Sequence, residues 1–243
     1  MKTGIITGTG KGIGLSALKI LLKSKYKIIS ITKSKSRRLE ILLKNKNLIK
    51  NIYHPLGENL ISDKKLINKI YKNYKIDFLV CNAGVRHRDS IKDMDLEKRK
   101  YTLDVNYHPN VVLIEELLKS LKKRTPLSIV CISSIVGNLG FRNLTSYAAS
   151  KMALEGFIKS AAVEYARKNI RINMIAPGFI KSSYYKNFIK NQKNVNKWII
   201  ERTPMGRWGK PDEVSSVIEF LISEKSSYIT GSTIYVDGGW NIS

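Results

Sequence analysis

Seven short apolar runs punctuate the 243-residue chain: Gly4 to Thr7, Lys27 to Thr32, Leu48 to Tyr53, Asp77 to Cys81, Ser128 to Ser133, Arg171 to Ala176 and Thr233 to Val236. Each is bounded by polar or glycine-containing turns and has the length of a strand. The segments between them, such as Gly12 to Lys23, Asn106 to Lys123, Tyr147 to Lys168 and Asp212 to Ser223, carry apolar residues at three- and four-residue spacing, which marks one face of a helix. Strands that alternate with helices of this length build a parallel sheet covered on both faces. The expectation is therefore a single α/β domain over residues 1–243, doubly wound and seven-stranded, with its ligand site at the carboxyl ends of the strands. The polar, aromatic-rich stretch from Lys181 to Lys197 carries no strand signal, and a substrate lid is expected over about 181–205.

Composition limits the remaining classes. The start of the chain has no apolar h-region and no run approaches the roughly 20 residues of a membrane span, so a soluble, cytoplasmic protein without membrane contact is expected. Cys81 and Cys131 sit in apolar runs and form no C-x-x-C pair, as buried reduced thiols would. A net charge of +24 raises nucleic acid as a partner, because dense positive charge attracts phosphates. Yet Lys, Ile and Asn make up 82 of the 243 residues, and the lysines are spread along the chain. The charge is read as compositional, and no specific nucleic-acid partner is expected.

Directly after the first strand comes Thr7-Gly8-Thr9-Gly10-Lys11-Gly12-Ile13-Gly14, which opens the first helix. Glycines let the backbone approach a pyrophosphate, and the positive end of the helix attracts the anion. A P-loop is excluded because Gly12, not Ser or Thr, follows Lys11, and the strict G-x-G-x-x-G fails at Ile13. The remaining T-G-x-x-x-G-x-G pattern, placed between strand and helix, points to a dinucleotide in a Rossmann-type fold. Thr32 and Lys33 end the second strand, where an acidic residue would hold the ribose 2′-hydroxyl of NAD. No acid stands there. Lys11 and Lys33 can face the 2′-phosphate of NADP, with Lys35, Arg37 and Arg38 nearby, so NADP(H) is expected over NAD(H).

Tyr147 and Lys151 are four residues apart within a helical segment. That spacing puts phenol and ammonium on one face, where the cation favours the phenolate and equips the tyrosine for acid–base work. Ser133 and Ser134 precede them. The three histidines, His54, His87 and His108, show no ligand spacing, and no metal site is expected.

Taken together, T-G-x-x-x-G-x-G, Asn82-Ala83-Gly84 after the fourth strand, Ser134 followed by Tyr147-x-x-x-Lys151, and Pro177-Gly178 resemble the classical short-chain dehydrogenase/reductase family. The ending from Pro204-Met205-Gly206-Arg207 through Thr230-Gly231 to Val236-Asp237-Gly238-Gly239 also looks like this family, so the resemblance spans essentially the whole chain. It implies that Ser134 holds the substrate oxygen, Tyr147 transfers a proton, Lys151 tunes the tyrosine and binds the nicotinamide ribose, and Asn106 anchors a water relay. The thirteen-residue separation from Tyr147 favours Ser134 over Ser133, whose side chain an extended chain would turn the other way. The implied cofactor contacts are Gly8, Thr9, Lys11, Gly12, Ile13, Gly14, Lys33, Asn82, Ala83, Gly84, Tyr147, Lys151, Pro177, Gly178 and Ile180. Tyr53-His54-Pro55 departs from the family's aspartate after the third strand, and Cys81 replaces its usual asparagine. Most similar are the 3-oxoacyl-(acyl carrier protein) reductases. Their near relatives include sugar and polyol dehydrogenases, and a catalytically silent NADP(H)-binding regulator is the non-enzyme alternative. Lys122, Lys123, Arg124 and Lys168 match regions that would meet an acidic carrier protein. Tyr184, Tyr185, Phe188 and Trp198 in the lid do not separate acyl chain from sugar ring. The resemblance also implies a homotetramer built through helices beginning near Asn106 and Tyr147.

Overall fold

The computed structural model describes residues 1–33, 35–44, 47–88, 90–93, 95–121, 125–182, 185 and 193–243. The strands are β1 (Thr3–Thr7), β2 (Lys27–Thr32), β3 (Leu48–Tyr53), β4 (Phe78–Cys81), β5 (Leu127–Ile132), β6 (Ile170–Pro177) and β7 (Thr233–Val236). They form one parallel sheet in the order β3-β2-β1-β4-β5-β6-β7. Chain order reverses between β1 and β4, which opens a crevice at the carboxyl ends of those two strands.

Both faces of the sheet are apolar, as buried parallel strands require. Along β1, Ile5 faces one core and Ile6 the other. Helices α3 (Leu60–Asn73), α5 (His108–Ser120) and α7 (Thr145–Tyr165) cover the first face through Ile67, Leu113, Leu154 and Ile158. Helix α1 (Gly12–Lys23) and a late helix over Pro211–Ile222 cover the second through Leu18, Leu21, Val214 and Ile218. Helix α2 (Arg37–Leu42) follows β2, α4 (Leu96–Asn106) precedes α5, α6 (Ile135–Asn138) precedes α7, and α8 (Lys193–Arg202) precedes the late helix, α9. None of the helices in the described residues is long and apolar enough to cross a membrane.

The structure corrects one helix boundary. Asn106 ends α4 instead of starting the following helix, and Tyr107 breaks the run with φ −114° and ψ −65°. Pro109 lacks the N–H that would continue the ladder, and at the next position the Asn110 side chain donates to the Asn106 carbonyl at 2.7 Å. In the expected lid, residues 193–202 form helix α8. Tyr184 and Phe188 lie outside the described residues, as do Lys122, Lys123 and Arg124.

Candidate active site

The glycine loop is held from behind by two polar side chains. Thr7 Oγ1 accepts from the Asn82 and Ala83 N–H groups at 3.0 and 2.9 Å. In return, Asn82 Nδ2 donates to the carbonyls of Thr7 and Gly8 at 3.0 and 3.1 Å. Gly8 has φ +71°, and a Cβ on Gly14 would stand 2.3 Å from the Gly8 carbonyl oxygen. Only glycine fits there, so the turn and the first turn of α1 pack directly on each other. Thr9 is fully buried and its hydroxyl meets Ser30 Oγ at 2.5 Å. It therefore ties the loop to β2. The first turn of α1 has no acidic residue and Lys11 makes no side-chain cap. The leading N–H groups of that helix remain available to an anion.

Asn106 performs a matching task between β4 and α7. Its side chain is fully buried. Oδ1 accepts from Val85 N at 2.8 Å, while Nδ2 donates to the Val85 carbonyl at 2.9 Å and to Ser150 Oγ at 3.0 Å. Ser150 in turn donates to the Tyr147 carbonyl at 2.7 Å. Sequence reasoning had no signal for Ser150, because a serine inside a helix is an ordinary surface residue until a partner appears.

At the carboxyl end of the sheet lies a cleft of about 210 Å³. Ser134, Tyr147 and Lys151 all line it, as do Ile13, Asn82, Gly84, Pro177, Gly178 and Ile180. Lys151 is buried, and its Nζ donates to the Ile132 carbonyl at 2.7 Å and stands 5.7 Å from the Tyr147 ring centre. Ser134 sits at the N-cap of α6 and accepts from Val136 N at 3.2 Å. Ser133 also lines the cleft, and its buried Oγ has no hydrogen-bond partner among the described residues. Strand alternation thus does not remove Ser133 from the site. Val85, Arg86, Val136, Phe179 and Trp208 complete the walls, and no sequence pattern singled them out.

Lys11 and Gly12 line a second groove of about 590 Å³ together with Lys19, Arg38 and Lys181, and Ser182 borders both spaces. Lys33 stands apart from both. Its Nζ pairs with Glu58 at 2.6 Å and contacts Tyr101 Oη at 3.4 Å, and the Glu58 hydrogen bond raises the lysine pKa. The segment directly after β2 has no acid, as expected, but the chain supplies one from beyond β3. Such a pairing across 25 residues leaves no mark in local sequence.

The histidines have local partners: His54 meets Asp63 at 2.6 Å, His87 meets Thr102 at 3.0 Å, and His108 stands 3.8 Å from Asp104. Among the described residues no cluster suits a metal. Cys81 and Cys131 face each other in the β4–β5 register, buried and unbridged; contact with Cys131 and burial push the Cys81 thiol well up.

A family model described as "Enoyl-(Acyl carrier protein) reductase" matches residues 62–241. The 3-oxoacyl-[acyl-carrier-protein] reductase of Rickettsia prowazekii is 36% identical over 241 residues, covering 98% of this chain and 96% of that protein. The 2-dehydro-3-deoxy-D-gluconate 5-dehydrogenase of Bacillus subtilis is 33% identical over 242 residues, covering 98% and 94%. Among solved structures, a putative NAD(P)-dependent gluconate 5-dehydrogenase from Beutenbergia cavernae with bound NADP at low occupancy superposes with a TM-score of 0.93. Its identity is 25%, and the match covers 100% of this chain and 97% of that one.

Proposed function

This chain belongs to the short-chain dehydrogenase/reductase family, and from that membership we propose that it is an NADP(H)-dependent oxidoreductase interconverting a carbonyl and a secondary alcohol, with 3-oxoacyl groups on acyl carrier protein as substrate. The observation that carries the reading is the meeting of Ser134, Tyr147 and Lys151 around one cleft, which Ile13 of the glycine motif and Asn82 also line.

The residues fit a dinucleotide. A loop that a Cβ would fill at Gly8 and Gly14, together with the uncapped start of α1, suits a pyrophosphate. Gly8, Thr9, Lys11, Gly12, Ile13 and Gly14 would hold it, with Asn82, Ala83 and Gly84 behind. Pro177, Gly178 and Ile180 would flank the nicotinamide. Lys11 and Arg38 share a basic groove that suits a 2′-phosphate, with Lys33 beyond it in competition with Glu58. This groove and the NADP recorded for the Beutenbergia protein support NADP(H).

When bound, the cofactor supplies or accepts the hydride. The chain's own groups handle the oxygen. Ser134 Oγ and Tyr147 Oη donate hydrogen bonds to the carbonyl oxygen as negative charge develops, and Tyr147 passes its proton to that oxygen. The Lys151 ammonium favours the ionised tyrosine and is the proposed partner of the nicotinamide ribose. Asn106 keeps Val85 and the Ser150 turn of α7 in place, so its proposed contribution is positioning, with the water relay as its second task.

The near-complete match to a carrier-protein reductase supports a carrier-bound 3-oxoacyl substrate; a sugar or polyol is the second reading, supported by the Bacillus dehydrogenase. The exposed Lys168, stacked 4.1 Å from the Tyr165 ring centre, and Arg124 are proposed contacts for the acidic carrier. Exposed apolar Met152 and Val163 on α7 support a homotetramer through that helix and the one that begins just after Asn106, measurable by light scattering. The test of function is NADPH oxidation with a carrier-bound 3-oxoacyl substrate and with a small thioester mimic across a salt series. Steering between opposite charges is screened beyond roughly 8–10 Å at physiological ionic strength. Efficiency should fall steeply with salt for the carrier-bound form and little for the mimic. Equal responses favour the sugar or polyol reading, and no turnover with any carbonyl favours an NADP(H)-binding regulator.

A further inference from the structure

Five buried side-chain atoms have no hydrogen-bond partner among the described residues: Asn51 Nδ2, Ser133 Oγ, Thr145 Oγ1, Glu155 Oε2 and Trp240 Nε1. Of these residues, Ser133 alone belongs to the described lining of the catalytic cleft, and it is only 2% exposed. The direction of its side chain follows from the strand. Ser133 N donates to the Ile175 carbonyl at 2.7 Å, so the pairing of β5 with β6 continues past Ile132 and the alternation of faces holds. Cys131 faces the core that carries Leu154 and Ile158 of α7, and Ile132 faces the opposite core. Ser133 therefore turns toward α7. From that helix, one turn before Leu154, Lys151 donates to the Ile132 carbonyl at 2.7 Å. The Ser133 hydroxyl and the Lys151 ammonium thus flank one peptide group.

An ammonium carries three N–H donors, and buried donors need acceptors. One N–H of Lys151 is on Ile132, and the nicotinamide ribose is the proposed partner of a second. The third meets no carboxylate among the described lining residues. Asn106 is already engaged: Oδ1 accepts from Val85 N, the carbonyl accepts from Asn110 Nδ2, and both side-chain N–H groups are used. Ser133 Oγ has a lone pair and a proton to offer, and because it is not bonded to Lys151 directly, a water is the bridge that satisfies both groups. We propose that Ser133 is a positioning residue whose hydroxyl holds an ordered water against the third N–H of Lys151 and so fixes the ammonium beside Tyr147. The flexible stem of a lysine leaves the place of its charge to such contacts. The inference rests on the carbonyl-reductase reading and adds one residue to its machinery. Ser134 keeps a separate task, since it caps α6 by accepting from Val136 N and retains its proton for the substrate oxygen.

The experiment has two arms, both on the full-length chain. Crystals of the native protein, at a resolution that shows ordered water, should place one water within hydrogen-bond reach of both Ser133 Oγ and Lys151 Nζ, and Ser133→Ala should lose it. In the second arm, NADPH oxidation is followed with acetoacetyl-N-acetylcysteamine as the substrate. Ser133→Ala should lower kcat by roughly two- to tenfold, the worth of one hydrogen bond, while KM for the thioester changes little. Ser133→Thr, which keeps the hydroxyl, should recover most of the loss. Circular dichroism and melting temperature confirm that each variant is folded. A native crystal with no water between the two groups overturns the assignment, as does a Ser133→Ala enzyme with native kcat. A rise in KM at unchanged kcat overturns it in favour of direct contact between Ser133 and the substrate. A loss that folded Ser133→Thr does not recover overturns it in favour of packing at the strand end. Absence of turnover in the native protein overturns the reductase reading, and the water, present or missing, then decides the assignment alone.

Discussion

Replacing Asn106 by Ala should cost both stability and turnover, and the size of the loss follows from its hydrogen bonds. The change deletes contacts of 2.8 and 2.9 Å to the two backbone groups of Val85 and one of 3.0 Å to Ser150. Ser150 keeps its bond to the Tyr147 carbonyl, so the uncompensated groups are the Val85 N–H and C=O. A buried polar group left without a partner costs roughly 1–3 kcal/mol. Val85 is only half-buried, which places each loss toward the lower end and the total near 2–4 kcal/mol. In a domain of this size each kcal/mol shifts the melting temperature by roughly 2–4 °C, so a drop of about 5–15 °C is expected by calorimetry. Freed from Asn106, the Val85 segment should also loosen, raising KM for NADPH and lowering kcat. Asn106→Asp separates volume from hydrogen bonding. One carboxylate oxygen can still accept from Val85 N, but the other faces the Val85 carbonyl with no proton to donate. It should be destabilised at pH 7 about as much as the Ala variant. A melting temperature within about 2 °C of native in both variants refutes the positioning role.

Tyr147→Phe should lose nearly all turnover while still quenching or shifting NADPH fluorescence, since only the proton donor is gone; retained activity refutes the mechanism. Lys151→Ala should in addition weaken NADPH binding, and an unchanged affinity removes its role at the ribose. Glu58→Gln should release Lys33 and raise the NADPH/NADH ratio of kcat/KM severalfold, whereas Lys33→Asp should lower that ratio by roughly ten- to a hundredfold through loss of a charge-assisted contact. Glu213 accepts from Arg207 at 2.7 and 3.1 Å and from the Lys210 N–H at 2.6 Å, which lowers its pKa to about 2. Its unfolded value is near 4.3, so its stabilisation is complete above about pH 5 and disappears as the pH falls toward 2. The pair is more than one-third exposed, and screening limits its worth to under about 1 kcal/mol. Urea melts of Glu213→Gln should show a small deficit at pH 7 and none at pH 2; a deficit persisting at pH 2 refutes the charge origin.

The sheet is readable from sequence to within a residue at nearly every strand end. A buried parallel strand needs apolar side chains on both faces, and runs such as Lys27 to Thr32 and Thr233 to Val236 have no other use. The break at Tyr107 is harder to place, because the apolar spacing continues through it and only Pro109 marks the fault. The site divides in the same way. Ser134, Tyr147, Lys151 and the glycine loop follow from spacing and resemblance, since their chemistry needs particular residue types in order. Glu58 beside Lys33 and Arg86 in the cleft wall do not, because long side chains select partners by position in space. Thr9 adds a role that its place in the motif does not reveal, since its hydroxyl is occupied by Ser30 and only its backbone is left for the proposed ligand contact.

The proposed cofactor loop and the proposed catalytic helix are not independent parts. Starting at Gly8, the Asn82 side chain leads to β4, the backbone runs through Ala83 and Gly84 to Val85, Asn106 carries the connection to Ser150, and Ser150 ends on the carbonyl of Tyr147. Four side-chain hydrogen bonds thus join the glycine turn after β1 to the carbonyl of Tyr147. A shift of the glycine loop on binding the proposed pyrophosphate has a stiff route to the helix that carries Tyr147, the proposed proton donor. If the route transmits strain, Asn82→Ala and Asn106→Ala should be strongly non-additive in kcat, with a coupling of about 0.5–3 kcal/mol in a double-mutant cycle. Additive effects would mean that the two clamps act on the site separately.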